Sequence, residues 1–134
     1  MKNLNNYFEA IAKPFIPLTP WILRLVIGTS FILHGLGKFP LPYSMKGSET
    51  LGSIVAITEV LAGVGVMLGG IFKNDLGNII TRLSGGAILV IMIGALIIAH
   101  SDWFHTWEGL KKFIYKEQIY LLILGFYFAV RGNN

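Results

Sequence analysis

Four long apolar runs, at about residues 20–39, 50–72, 76–100 and 112–131, separated by short connectors, set what this chain can fold into. A helix needs roughly 20 apolar residues to cross a ~30 Å hydrocarbon layer; the first three runs meet that length and the fourth is near the lower limit. Lipid offers no water to unpaired backbone groups, so such runs cross it as helices. With 54% hydrophobic and 13% charged residues, the chain is far more apolar than a soluble domain, and 134 residues leave no room for a separate catalytic one. The expected fold class is all-α: an integral membrane four-helix bundle over residues 20–134, embedded in a lipid bilayer.

Residues 1–19 have a different pattern. Leu4, Tyr7, Phe8, Ile11 and Phe15 recur at helical spacing opposite Asn5, Asn6, Glu9 and Lys13, which predicts an interfacial amphipathic helix ended by Pro14, Pro17 and Pro20. The following run starts near Trp21 without a basic stretch or a small-residue cleavage site, so it is expected to be retained rather than removed as a signal peptide. The short turn Lys73-Asn74-Asp75 makes the second and third helices antiparallel neighbours. Four spans put both termini on one side. Lys2, Lys13, Arg24, Lys73, Arg82 and Arg131 lie on that side, against Lys38, Lys46, Lys111, Lys112 and Lys116 opposite, which favours cytoplasmic termini.

Charges inside apolar runs are costly, at roughly 2.5–3.5 kcal/mol each on insertion scales, and mark pairs or functional sites. Arg24, Glu59, Arg82 and Glu117 are such charges, one per run. Stepping by three and four residues aligns Arg24, Gly28, Phe31, Gly35 and Lys38 on the first helix, and Gly52, Glu59, Gly63, Val66 and Gly70 on the second. The same stepping gives Arg82, Gly86, Leu89, Ile93, Leu96 and His100 on the third, and Glu117, Leu121, Leu124, Phe128 and Arg131 on the fourth. A rise of ~1.5 Å per residue puts Glu59 near mid-depth, and Arg82 is its expected partner. Such a pair either handles protons or anions or fixes helix register. The R-L-x-x-G element at Arg24–Gly28 returns at Arg82–Gly86, with similar Arg-to-Glu spacing in both halves, as two related helical hairpins would give.

His34 and Lys38 are one turn apart, placed to bind a quinone carbonyl or an anionic headgroup, or to sit as interface residues; His100 lies at similar depth. Haem between His34 and His100 is not expected, because the aligned histidine spacing of multi-haem helices is missing. The chain has no cysteine, P-loop, dinucleotide fingerprint or H-E-x-x-H, so no metal centre, nucleotide site or thiol relay is expected. A net charge of +4, carried mostly near helix ends, suits lipid headgroups rather than nucleic acid.

The run Leu23-Arg24-Leu25 through Phe31, followed by His34-Gly35-Leu36-Gly37-Lys38, resembles the DoxX family of small four-helix membrane proteins. Glu59 with Gly63, Thr81-Arg82-Leu83 and Glu117 continue the resemblance from Trp21 onward, while the long Trp103–Lys116 connection departs from it. The resemblance implies an inner-membrane protein of bacterial type that is an accessory subunit of a quinone-linked or other membrane oxidoreductase. Quinone would be its possible cofactor, and a membrane-associated protein its partner. Fold alone does not fix function. A non-enzymatic scaffold or chaperone for membrane proteins, and a small anion or lipid transporter using Arg24 and Arg82 in a homo-oligomer, remain the alternatives.

Overall fold

In the computed structural model, which describes residues 1–133, the chain forms six α-helices. They are α1 (Lys2–Ala12), α2 (Thr19–Leu36), α3 (Glu49–Ile71), α4 (Asp75–Ile98), α5 (Trp107–Tyr115) and α6 (Glu117–Arg131), with 3-10 turns at Lys13–Leu18 and Ser101–Phe104. Three helical stretches are long and apolar enough to cross a membrane, Lys2–Leu36, Glu49–Ile71 and Asp75–Ile98. The pair α5 and α6, bent by 55°, makes a fourth if counted as one span.

Helix starts are written in single residues. Ser48 Oγ accepts from Leu51 N, Asn74 Oδ1 from Gly77 N and Thr106 Oγ1 from Gly109 N, each satisfying a backbone donor that the first turn leaves over. The prolines mark where α1 ends: its α-helical turns stop at Ala12, and the segment Lys13–Leu18 that holds Pro14 and Pro17 is 3-10. Pro20 falls in the first turn of α2, where a fixed φ suits the helix. Counting the 3-10 turn, the path stays helical from Lys2 to Leu36. No α1 residue is buried, so its apolar face is left uncovered by the rest of the chain.

The helices pack in chain order: α2 on α3, α3 on α4, α4 on α6. Contact between α2 and α6 is slight, so the bundle is open along one side. Ile27, Phe31, Val66, Ile88, Leu121 and Phe128 form the core. Glycines set the closest approaches. A Cβ on Gly63 would lie 2.6 Å from Gly28 O, and one on Gly85 would lie 2.9 Å from Gly125 O, so α2–α3 and α4–α6 touch backbone to backbone.

Two expectations are corrected here. The inward face of α4 is Gly77, Thr81, Ser84, Gly85, Ile88, Met92 and Leu96, about one residue out of phase with the stripe through Arg82, Gly86 and Ile93. The helix is apolar nearly all round, so periodicity sets its phase poorly, and Arg82 lies in the second turn, where a long side chain reaches the rim. The last run is also not one helix: Lys116, with extended backbone (φ −86°, ψ 153°), separates α5 from α6.

Candidate functional site

Toward the end of the bundle remote from residue 133, α2, α3 and α4 surround a cavity of about 530 Å³, roofed by the Tyr43–Lys46 segment of the α2–α3 connector. Most of its wall is aliphatic, from Leu51, Val55, Ile91, Ala95 and Ile98. Its polar residues are His34, Lys38, Glu59, His100 and Gln118, with Tyr43, Ser44 and Lys46 on the connector side. Lys38 follows the last turn of α2, and its side chain reaches back to donate to Glu59 Oε2 in a buried ion pair, and to His34 O at 3.2 Å. His100 stacks on Trp103 with ring centroids 4.1 Å apart, which fixes the imidazole at the cavity edge. Gln118 Oε1 is buried with no hydrogen-bond partner among the described residues. A buried acceptor left unmade costs about 1–3 kcal/mol, so it has the energetics of a group waiting for a donor.

The expected partner of Glu59 was Arg82, and the structure gives it Lys38 instead. Glu59 is twelve residues from the α3 end at Ile71, while Arg82 is seven residues from the α4 start at Asp75. At ~1.5 Å per residue this separates them by roughly 7–8 Å in depth, in addition to the phase difference. Arg82 donates to Arg131 O at 3.4 Å instead. Glu117, at the start of α6, is exposed and lies 3.2 Å from His34 Nε2; His34 Nδ1 donates to Ser30 O at 2.8 Å. That contact bridges α2 to α6 across the open side.

Arg24 occupies the opposite end and is 4% exposed. Its Nη1 donates to Val66 O (2.8 Å) and Thr81 Oγ1 (3.1 Å), and its Nη2 to Asn133 Oδ1 (2.7 Å) and Gly132 O (3.4 Å). The guanidinium also sits 4.7 Å from the Phe128 ring centroid, a cation–π distance. The four charged residues therefore form no single site. Glu59 belongs to the cavity, Arg24 to a second cluster, Arg82 to the α4–α6 rim and Glu117 to the α2–α6 bridge. The repeated R-L-x-x-G elements likewise differ in surroundings, with Arg24 buried and Arg82 half-buried.

His34, Lys38 and His100, selected from the sequence, all line the cavity. Gln118, Thr81 and Asn133 were missed. Gln118 sits in the polar Lys116-Glu117-Gln118 triplet, where one turn of α6 would have shown it beside Leu121 and Leu122. Thr81 was legible only with the correct α4 phase. Asn133 follows Gly132, whose φ of +66° turns the backbone after α6 back toward the bundle.

Compared with protein-family models, curated proteins and solved structures, the chain matches none.

Chemically, the cavity combines an apolar wall with two lysine ammonium groups, a carboxylate, two imidazoles and an open acceptor. It suits a flat or short amphipathic molecule carrying oxygen at its polar end.

Proposed function

We propose that this chain is a DoxX-like integral protein of a bacterial inner membrane, with cytoplasmic termini, whose α2–α3–α4 cavity binds a quinone or quinol. It does so as the accessory membrane subunit of an oxidoreductase. The observation that carries the reading is the cavity with its unpartnered Gln118 Oε1. A quinol hydroxyl is the donor that this oxygen lacks, while a quinone carbonyl accepts from Lys38 Nζ. The aliphatic wall takes the ring and the first part of the tail. Glu59 holds Lys38 in place and stands within reach of the protons that quinol oxidation releases. The electrons pass to a partner protein that carries its own redox centre, since this chain has no motif for one.

Titrating the purified protein in maltoside micelles with decylubiquinone tests this. Trp103, stacked on His100 at the cavity edge, is expected to be quenched saturably. Gln118→Leu is expected to weaken binding by about tenfold, the equivalent of one hydrogen bond to a buried group. Linear, non-saturating quenching, or equal affinity in Gln118→Leu, refutes the reading.

A further inference from the structure

The Arg24 cluster, at the other end of the bundle, has an electrostatic peculiarity. Every acceptor given to its guanidinium is neutral: two backbone carbonyls, a hydroxyl and an amide. Among the described residues the ion pairs are Lys38–Glu59 and Lys111–Glu108, with His34–Glu117 a third only when His34 carries a proton on both nitrogens, and none involves Arg24. Hydrogen bonding is thus well satisfied, while among the described residues no carboxylate pairs with the guanidinium, and a desolvated charge without a paired counter-charge is costly.

Beside Arg24 is a second cavity, of about 410 Å³, bordered by Trp21, Lys73, Asp75, Asn78 and Asn133. Lys73 and Asp75 on its border carry one charge of each sign. The side chain of Asn133 forms part of its wall. Its Oδ1 accepts from both Arg24 Nη2 and Thr81 Oγ1 at 2.7 Å, which is the donor arrangement that one oxygen of an oxyanion takes. Its Nδ2 donates to Gly69 O at 2.7 Å and to Phe72 O at 3.3 Å. The amide fills the hydrogen-bonding role of an anion and leaves its electrostatic role open.

We infer that Arg24, Thr81 and Lys73 form an oxyanion site for a phosphate group, and that the Gly132–Asn133 segment is its displaceable intramolecular occupant. The phosphate comes either from an anionic lipid headgroup or from solution. On binding, one phosphate oxygen replaces Asn133 Oδ1 between Arg24 and Thr81, Lys73 meets a second from the rim, and the segment after α6 is released.

The test uses the full chain, with thermal unfolding as readout. It is run in uncharged maltoside micelles with inorganic phosphate, and in nanodiscs of phosphatidylcholine with or without phosphatidylglycerol. Stabilisation by inorganic phosphate in micelles identifies a free anion, and stabilisation only with phosphatidylglycerol identifies a lipid headgroup. Absence of both overturns the proposal. Two variants separate binding from general salt effects and from simple destabilisation. Asn133→Ala removes the competitor and is expected to lower the midpoint of the stabilising anion by about tenfold. Thr81→Val keeps the shape, removes one donor and is expected to raise that midpoint by about tenfold. Midpoints that stay at the wild-type value in both folded variants, or move the same way, overturn the proposal.

Discussion

The Lys38–Glu59 pair invites an asymmetric substitution experiment. The Glu59 side chain is 7% exposed and that of Lys38 16% exposed. More important is where each is rooted: Glu59 lies in the middle of α3, whereas Lys38 lies beyond Leu36, the last residue of α2, on a flexible four-carbon stem. Lys38→Met leaves the mid-helix carboxylate without its counter-charge and unable to move out of the bundle, and removing one partner of a buried pair costs about 3–5 kcal/mol. Glu59→Met leaves an ammonium that can swing out past the connector and snorkel, so its cost is expected to be only about 1–2 kcal/mol. The double variant replaces both charges by apolar groups, for which the expected cost is near zero, within about 1 kcal/mol. The coupling energy is then about 3 kcal/mol or more. Equilibrium unfolding in mixed micelles, run as a double-mutant cycle, measures all three. Equal costs for the two single variants, or additivity within about 0.5 kcal/mol, refutes the argument that Glu59 is the trapped partner and Lys38 the mobile one.

The glycine geometry predicts contrasting outcomes for one type of substitution. Gly63→Ala places a methyl against Gly28 O and is expected to lower stability by about 1–3 kcal/mol, while Gly86→Ala, which meets open space, is expected to be neutral or to gain up to about 1 kcal/mol in thermal unfolding. Asn74→Ala removes the cap of α4 and is expected to cost about 1 kcal/mol, with the loss visible as faster amide exchange in the first turn of α4. Gln118→Leu relieves an unmet acceptor and is expected to stabilise the ligand-free protein by about 1–3 kcal/mol; a destabilised variant would mean that Gln118 serves packing instead.

The sequence made the bounds of α2, α3 and α4 legible to within about three residues, because length and hydropathy are properties of a run as a whole. It made the inward faces of α2 and α3 legible too, where Arg24, Glu59 and the glycines break the apolar background. It failed on α4, where isoleucine, leucine and valine point in every direction and the phase was set on Arg82 rather than on Thr81 and Ser84. The partner of Glu59 was missed for a related reason. Depth counting locates Cα atoms, but a lysine placed after the helix end can fold its stem back by more than a turn, and no residue pattern records that. The Asn133 contacts depend on one backbone reversal at Gly132 and on four elements meeting, which lies beyond any local pattern.

The open side between α2 and α6 bears on assembly order. Neighbours in sequence are neighbours in space throughout α2, α3, α4 and α6, so each apolar interface can form as soon as its second helix is made, with little loop entropy to overcome. The hydrogen bonds that join the first span to the last are of another kind: His34 to Glu117 toward one face, and Arg24 to Gly132 and Asn133 toward the other. They are polar, they lie toward the ends, and they await residues that follow every other helix. The fold thus resembles a pleated screen drawn into a ring and pinned at its two rims, and the pins are what agents competing for hydrogen bonds would remove first.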